Sequence, residues 1–283
     1  MSLFVFLSVL GAALLHASWN ALVRIGASKM TGMVIMTALQ DSAGLMIALG
    51  RPPPEGVVWV WLLASGFLHA AYKLFLAYAY EHGDLSRVYP IARGTAPLIV
   101  LALGAFLFSD EISGPAYVGI LGLGFGILMM ANGALASGES RRLIPVALCS
   151  AAATAGYSIV DGMGAWVAGD AATFVAWLFA LDAALMLPIA ALLRGLGVFS
   201  ASARSWGLGA LAAAGSYGAY AIAVWAMTQA LIVLVAALRE TSILFAVAIA
   251  ALAFGERIDR VKIAAAVLIF GGVVLTRFYP SRP

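Results

Sequence analysis

The sequence predicts an all-α polytopic membrane protein of about ten transmembrane helices, arranged as two inverted five-helix repeats, and three observations predict it. Of its 283 residues, 64% are hydrophobic and only 10% charged, and the mean hydropathy is +1.03. A soluble domain needs a more polar exterior than this composition supplies. Apolar runs of about twenty residues, long enough to cross hydrocarbon, recur between short polar breaks. Stretches of the first half return in the second. A transmembrane barrel would instead show alternating strands of about ten residues.

Helices are expected over 3–25, 31–50, 57–80, 88–108 and 114–136, then over 143–164, 171–193, 206–228, 231–254 and 261–278. The first lacks a basic segment ahead of its apolar stretch and carries Trp19, Asn20 and Arg24. It therefore reads as a spanning helix, not a cleaved leader. The clearest breaks are RPPPEG at 51–56, SGESRR at 137–142 and the stretch 195–205. The middle one divides the chain into repeats 1–138 and 139–283.

The repeat is carried by RGTAPLIV at 93–100 against RETSILFA at 239–246, in the expected fourth and ninth helices. Each continues to an acidic turn, Asp110 with Glu111 or Glu256. Asp41 in the second helix answers Asp182 in the seventh, and Tyr78-Ala79 answers Trp225-Ala226. Five helices per copy force the second copy to enter the membrane inverted, which leaves a central cavity between the copies. Basic residues gather at the odd-numbered loops, including Lys29, Arg87, Arg141, Arg142, Arg194 and Lys262. That bias makes those loops cytoplasmic and puts both termini outside.

An ionisable side chain in mid-span costs roughly 2.5 to 3.5 kcal/mol on insertion scales, so each one here calls for a partner or a watery cavity. Asp41, Lys73, Arg93, Asp161, Asp182, Arg239 and Glu240 fall within or near expected spans, with His16 and His69. His16, Asn20 and Arg24 make one inward stripe on the first helix, and Thr154, Ser158 and Asp161 another on the sixth. The residues expected to contact a solute are Asn20, His69, Lys73, Tyr78, Arg93, Tyr157, Tyr220, Trp225 and Arg239. Lys73 or the arginines would receive a carboxylate, and the aromatics apolar parts. Asp41, Asp182 and Glu240, with Pro90 and Pro97 as bending points, are the expected coupling or gating residues.

Simpler roles stand beside these. Arg24, Lys29 and Asp161 can snorkel at an interface, Glu240 can pair with Arg93 as a structural link, and Lys73 can pair with an aspartate. Adjacent Arg239 and Glu240 diverge by about 100 degrees on a helix and need separate partners. Gly122, Gly126, Gly271 and Gly272 fit close helix packing without a dimer. The chain has no phosphate-binding loop, no HExxH and no metal-spaced Cys/His cluster. Neither a cofactor nor a nucleic-acid partner is expected at a formal charge of +3. The expected partners are a small-molecule solute and the lipid bilayer, with the chain a monomer or homodimer.

These motifs resemble the drug/metabolite transporter superfamily in its ten-helix, EamA-like branch. The likeness rests on LHASWN at 15–20, the acidic turns SDE at 109–111 and FGE at 254–256, and the glycine-bearing fifth and tenth helices. The first turn departs from the family's glycine, and Asp41 lies where many relatives carry a basic residue. The resemblance implies alternating access around a central cavity, export of small metabolites such as amino acids across a bacterial inner membrane, and, in many relatives, cytoplasmic termini. Two other readings use the same buried polar groups. One is a membrane enzyme or lipid-handling protein acting on a bilayer substrate, and the other is a non-transporting structural or sensory subunit.

Overall fold

The computed structural model describes residues 1–25, 29–82, 85–107, 112–130, 143–195, 197, 200–255 and 258–277. Within that set the side chains of Arg24, Lys29, Lys73, Tyr78, Pro90 and Arg194 are among those outside the described residues. The linker 137–142 and the acidic turns at Asp110, Glu111 and Glu256 are outside them too.

The described residues are 89% helical, with no strand among them. The helices are α1 Leu3–Ile25, α2 Lys29–Leu49, α3 Val58–His82, α4 Leu85–Leu107, α5 Gly114–Met130, α6 Leu143–Ala168, α7 Ala171–Arg194, α8 Ala203–Gln229, α9 Ile232–Arg239, α10 Ser242–Phe254 and α11 Arg260–Arg277. Among the described residues five spans are long and apolar enough to cross a membrane: Leu3–Val23, Ile144–Ala168, Ala171–Ile189, Ala203–Gln229 and Ile232–Ala253. Shorter apolar stretches occur at Val34–Leu49, Val58–Tyr72, Arg93–Gly104 and Gly114–Met129. Large apolar side chains such as Phe4, Phe67, Phe125, Leu252 and Phe270 are exposed on these helices. Water would not tolerate such a surface, whereas lipid matches it. The chain is a multi-pass, all-α membrane protein.

One expected element is corrected. The span 231–254 is two helices, α9 and α10, joined through Glu240 and Thr241. The Glu240 amide donates to Ala237 O (3.1 Å) and the Thr241 amide to Leu238 O (3.0 Å), so hydrogen bonding tightens from i−4 to i−3. Thr241 Oγ1 also donates to Leu238 O at 2.7 Å. No proline or glycine marks this turn, so the sequence carried no local signal for it. By contrast α4 continues through Pro90 and Pro97, and α7 through Pro188.

Packing is between partners distant in sequence. α3 lies along α6, α1 along α8, α2 along α7 and α5 along α11. Glycine permits the closest of these. A Cβ on Gly272 would sit 2.5 Å from Gly119 O, and one on Gly126 would sit 3.0 Å from Ala265 O. Small residues let the two backbones touch where lipid supplies no hydrophobic drive. The glycine seam is therefore internal to the chain, as the sequence suggested, although Gly119 is the tight position and Gly122 is not. Between these pairs sits α9, with Ile232 through Leu238 all buried.

Helix ends follow ordinary capping chemistry. Asp170 caps α7 by accepting from Ala172 N at 2.9 Å, and Arg51 from the α2–α3 turn reaches the same carboxylate at 2.6 Å. The α10 helix ends on Gly255, whose φ of 66 is left-handed and suits glycine.

Candidate functional site

Polar side chains from six helices and the α9–α10 turn meet in two linked groups inside the bundle. In the first, Arg93 of α4 donates from Nη1 to Glu240 Oε1 at 3.1 Å. Its Nη2 lies 2.6 Å from His16 Nε2 of α1. Guanidinium has donors only, so His16 Nε2 accepts and the ring carries its proton on Nδ1. His16 is also held edge-on by Trp19, with ring centroids 5.0 Å apart. Arg93 and Glu240 are 6% and 3% exposed, so this is an ion pair fully withdrawn from water.

In the second group, His69 of α3, Asp161 of α6 and Tyr220 of α8 form a triangle. His69 Nε2 is 3.1 Å from Asp161 Oδ2 and 3.0 Å from the Tyr220 hydroxyl. The Tyr220 hydroxyl also donates to Asp161 Oδ2. Tyr157 stacks on the His69 ring at 4.2 Å and Tyr72 meets Tyr157 edge-on at 5.7 Å. The Arg239 guanidinium lies over the Tyr220 ring, 5.3 Å from its centroid. Arg239 and Glu240 thus turn to separate partners at the α9–α10 turn and link the two groups.

The depth of this layer follows from helix geometry. Asp161 lies seven residues before the end of α6 at Ala168, about 11 Å along the axis. Tyr220 lies nine before the end of α8 at Gln229, about 14 Å, and His69 eleven after the start of α3 at Val58, about 17 Å. Against about 30 Å of hydrocarbon, the layer is near the middle of the bundle. Two carboxylate oxygens there, Asp161 Oδ1 and Glu240 Oε2, are buried with no hydrogen-bond partner among the described residues.

No protein-family model matches the chain, and no curated protein matches it. A solved structure described only as a crystal structure of a protein superposes with a TM-score of 0.76 over 97% of this chain and 98% of that one, at 19% identity. At that identity the likeness shows the fold alone.

Of the residues singled out from sequence, the structure brings together His69, Arg93, Tyr157, Tyr220, Arg239 and Glu240. Asn20 is one turn from His16 and donates to its carbonyl at 2.7 Å, within its own helix. Trp225 is elsewhere: it meets Phe4 edge-on at 5.8 Å. It borders an open cleft of about 660 Å³ with Trp166, Asp170, Thr228 and Gln229. Asp41 and Asp182 are buried on the paired helices α2 and α7, with the Gln40 amide 3.5 Å from Asp41 Oδ1. Pro97 is buried within α4. Lys73 and Tyr78 follow His69 along α3, and the side chains of both, like that of Pro90, lie outside the described residues.

Two members of the layer were not among the expected solute contacts. Asp161 had an interfacial reading, and that is overturned: it is fully buried and bonded to His69 and Tyr220. The sequence boundary at 164 left Asp161 at a helix end, whereas α6 runs another turn to Ala168. His16 was one of a polar stripe and does point inward, but its partner Arg93 is 77 positions away. The stripes were the available signal for both.

Proposed function

We propose that this chain is a secondary transporter or facilitator of the drug/metabolite transporter superfamily, in its EamA-like branch. It exports small polar or amphipathic organic solutes, amino acids first among them, across a bacterial inner membrane. The observation that carries this reading is the mid-depth polar layer. Ionisable side chains from α1, α3, α4, α6, α9 and the α9–α10 turn converge there in a bundle whose outer surface is rich in large apolar residues. Buried ionisable groups at that depth mark solute or ion pathways in membrane proteins.

Helix pairing supports two inverted five-helix repeats. Exchanging the halves exchanges α3·α6 with α1·α8, and α4·α6 with the packing of α1 on α9 and α10. The pairs α2·α7 and α5·α11 map onto themselves. Counting α9 and α10 as one span gives ten crossings. Arg277 Nη1 donates to Met1 O at 3.2 Å, consistent with an even number. The tightened turn at Glu240 fits the interrupted helices that flank midplane sites in transporters built from inverted repeats. Arg239 is the group in this layer suited to an anionic solute group, and Tyr157 and Tyr220 to its apolar parts.

Thermal unfolding of the purified protein against panels of amino acids, sugars, nucleotides and cationic drugs tests the assignment, because a ligand that binds the folded state raises its apparent stability. Amino acids are expected to raise the midpoint, and Arg239→Ala to remove the rise. A rise with another solute class alone would replace the substrate assignment.

A further inference from the structure

Asp161 differs from Glu240 in what holds it. Glu240 faces the permanent charge of Arg93 at 3.1 Å, which fixes it as one half of a closed ion pair. Asp161 is held by His69 and the hydroxyl of Tyr220, one group that changes charge and one that is neutral. Both act on Oδ2, and Oδ1 is buried with no donor among the described residues. No described residue makes an ion pair of permanent charge with this carboxylate, and a proton on Oδ1 would neutralise it in place.

The surroundings support the same conclusion from each packed element. α3 contributes His69 and Tyr72, and carries Lys73, whose side chain is outside the described residues. α4 contributes Arg93, which is engaged by Glu240 and His16. α7 carries Asp182, and α8 carries Tyr217 and Tyr220. α9 contributes Arg239, whose guanidinium is set over the Tyr220 ring and makes no ion pair with Asp161. On α6 itself, Ser158 Oγ donates to Thr154 O and not to the carboxylate. Tyr220 keeps some exposed surface, whereas Asp161 and His69 are buried.

We propose that Asp161, clamped by His69 and Tyr220, is a proton-binding site that couples solute movement to proton movement, a role that rests on the transporter reading above. Hydronium on one face gives its proton to the Asp161 carboxylate, leaving water and a neutral carboxylic acid. On the other face the acid returns the proton to water, and the carboxylate is regenerated. No other bond changes.

Infrared difference spectra of the protein in lipid, recorded between acid and alkaline buffer, read this site without any solute. A carboxylic-acid carbonyl band that appears in acid should vanish in Asp161→Asn and persist in Glu240→Gln. Tyr220→Phe, which keeps the charge and the ring, should shift the frequency of that band by removing a donor. An unchanged spectrum in Asp161→Asn, or in Tyr220→Phe if the first variant does not fold, overturns the proposal. Counterflow of labelled amino acids into liposomes reads transport separately. Counterflow without a titrating Asp161 band overturns the proton site and leaves the transporter reading intact. The band without counterflow of any solute keeps proton binding but overturns coupling together with the transporter reading.

Discussion

Arg93 and Glu240, 147 positions apart in the chain, form a buried ion pair at 3.1 Å that ties α4 to the turn between α9 and α10. Both groups have been taken out of water, so the pair's net contribution is small while the loss of one partner is costly. Arg93→Ala strands Glu240 and should destabilise the protein by about 3–5 kcal/mol. Arg93→Met combined with Glu240→Leu should recover most of that loss. Thermal or denaturant unfolding in detergent measures both. Equal destabilisation by the single and double variants would show that the pair is not the source.

At the α5–α11 seam the relevant quantity is backbone distance. Gly272→Leu places a side chain where Gly119 O already limits even a Cβ to 2.5 Å. The helices must separate, and a loss of about 1–3 kcal/mol or more is expected from overpacking of this kind. Gly271→Ala is the control on the same helix, because a Cβ there meets nothing within 4 Å. A protease-resistance or unfolding midpoint should fall for the first variant and stay near wild type for the second.

Asp170, at the α6–α7 turn, gives a pH signature outside the spans. The Thr173 hydroxyl, then the Ala172 amide and Arg51, hold its carboxyl below its ordinary value of 3.8, against a smaller opposing effect of burial. A depressed folded-state value means that the stabilisation is complete above the ordinary value and is lost as pH falls through the folded one. About half of the carboxylate is exposed, so solvent screening limits the effect to roughly 1 kcal/mol or less. Thr173→Val should therefore unfold earlier than wild type near neutrality, with the gap closing in strong acid. A gap that widened in acid would reverse the assignment.

The sequence carried the membrane class and the positions of most helices because hydropathy and span length act locally. It also carried the separate partners of Arg239 and Glu240, since adjacent helical residues diverge. The Arg93 pairing is the structural role that the sequence suggests for Glu240, and it is what the structure contains. What was not legible was depth and tertiary choice. Asp161 became a core residue only because α6 extends past it, and the α9–α10 turn has no proline or glycine to announce it. Trp225 matched Tyr78-Ala79 along the repeat, yet its ring faces Phe4 of α1, because register along a helix does not fix which neighbour a side chain meets.

The most direct test of the central claim is counterflow in proteoliposomes loaded with unlabelled amino acids, followed by uptake of labelled ones. Wild type should accumulate label transiently, and Arg239→Ala and Lys73→Ala should each reduce that accumulation severalfold while remaining folded. Full accumulation in Arg239→Ala would contradict a solute site in this layer, and none in wild type with amino acids, sugars, nucleotides or drugs would contradict transport itself.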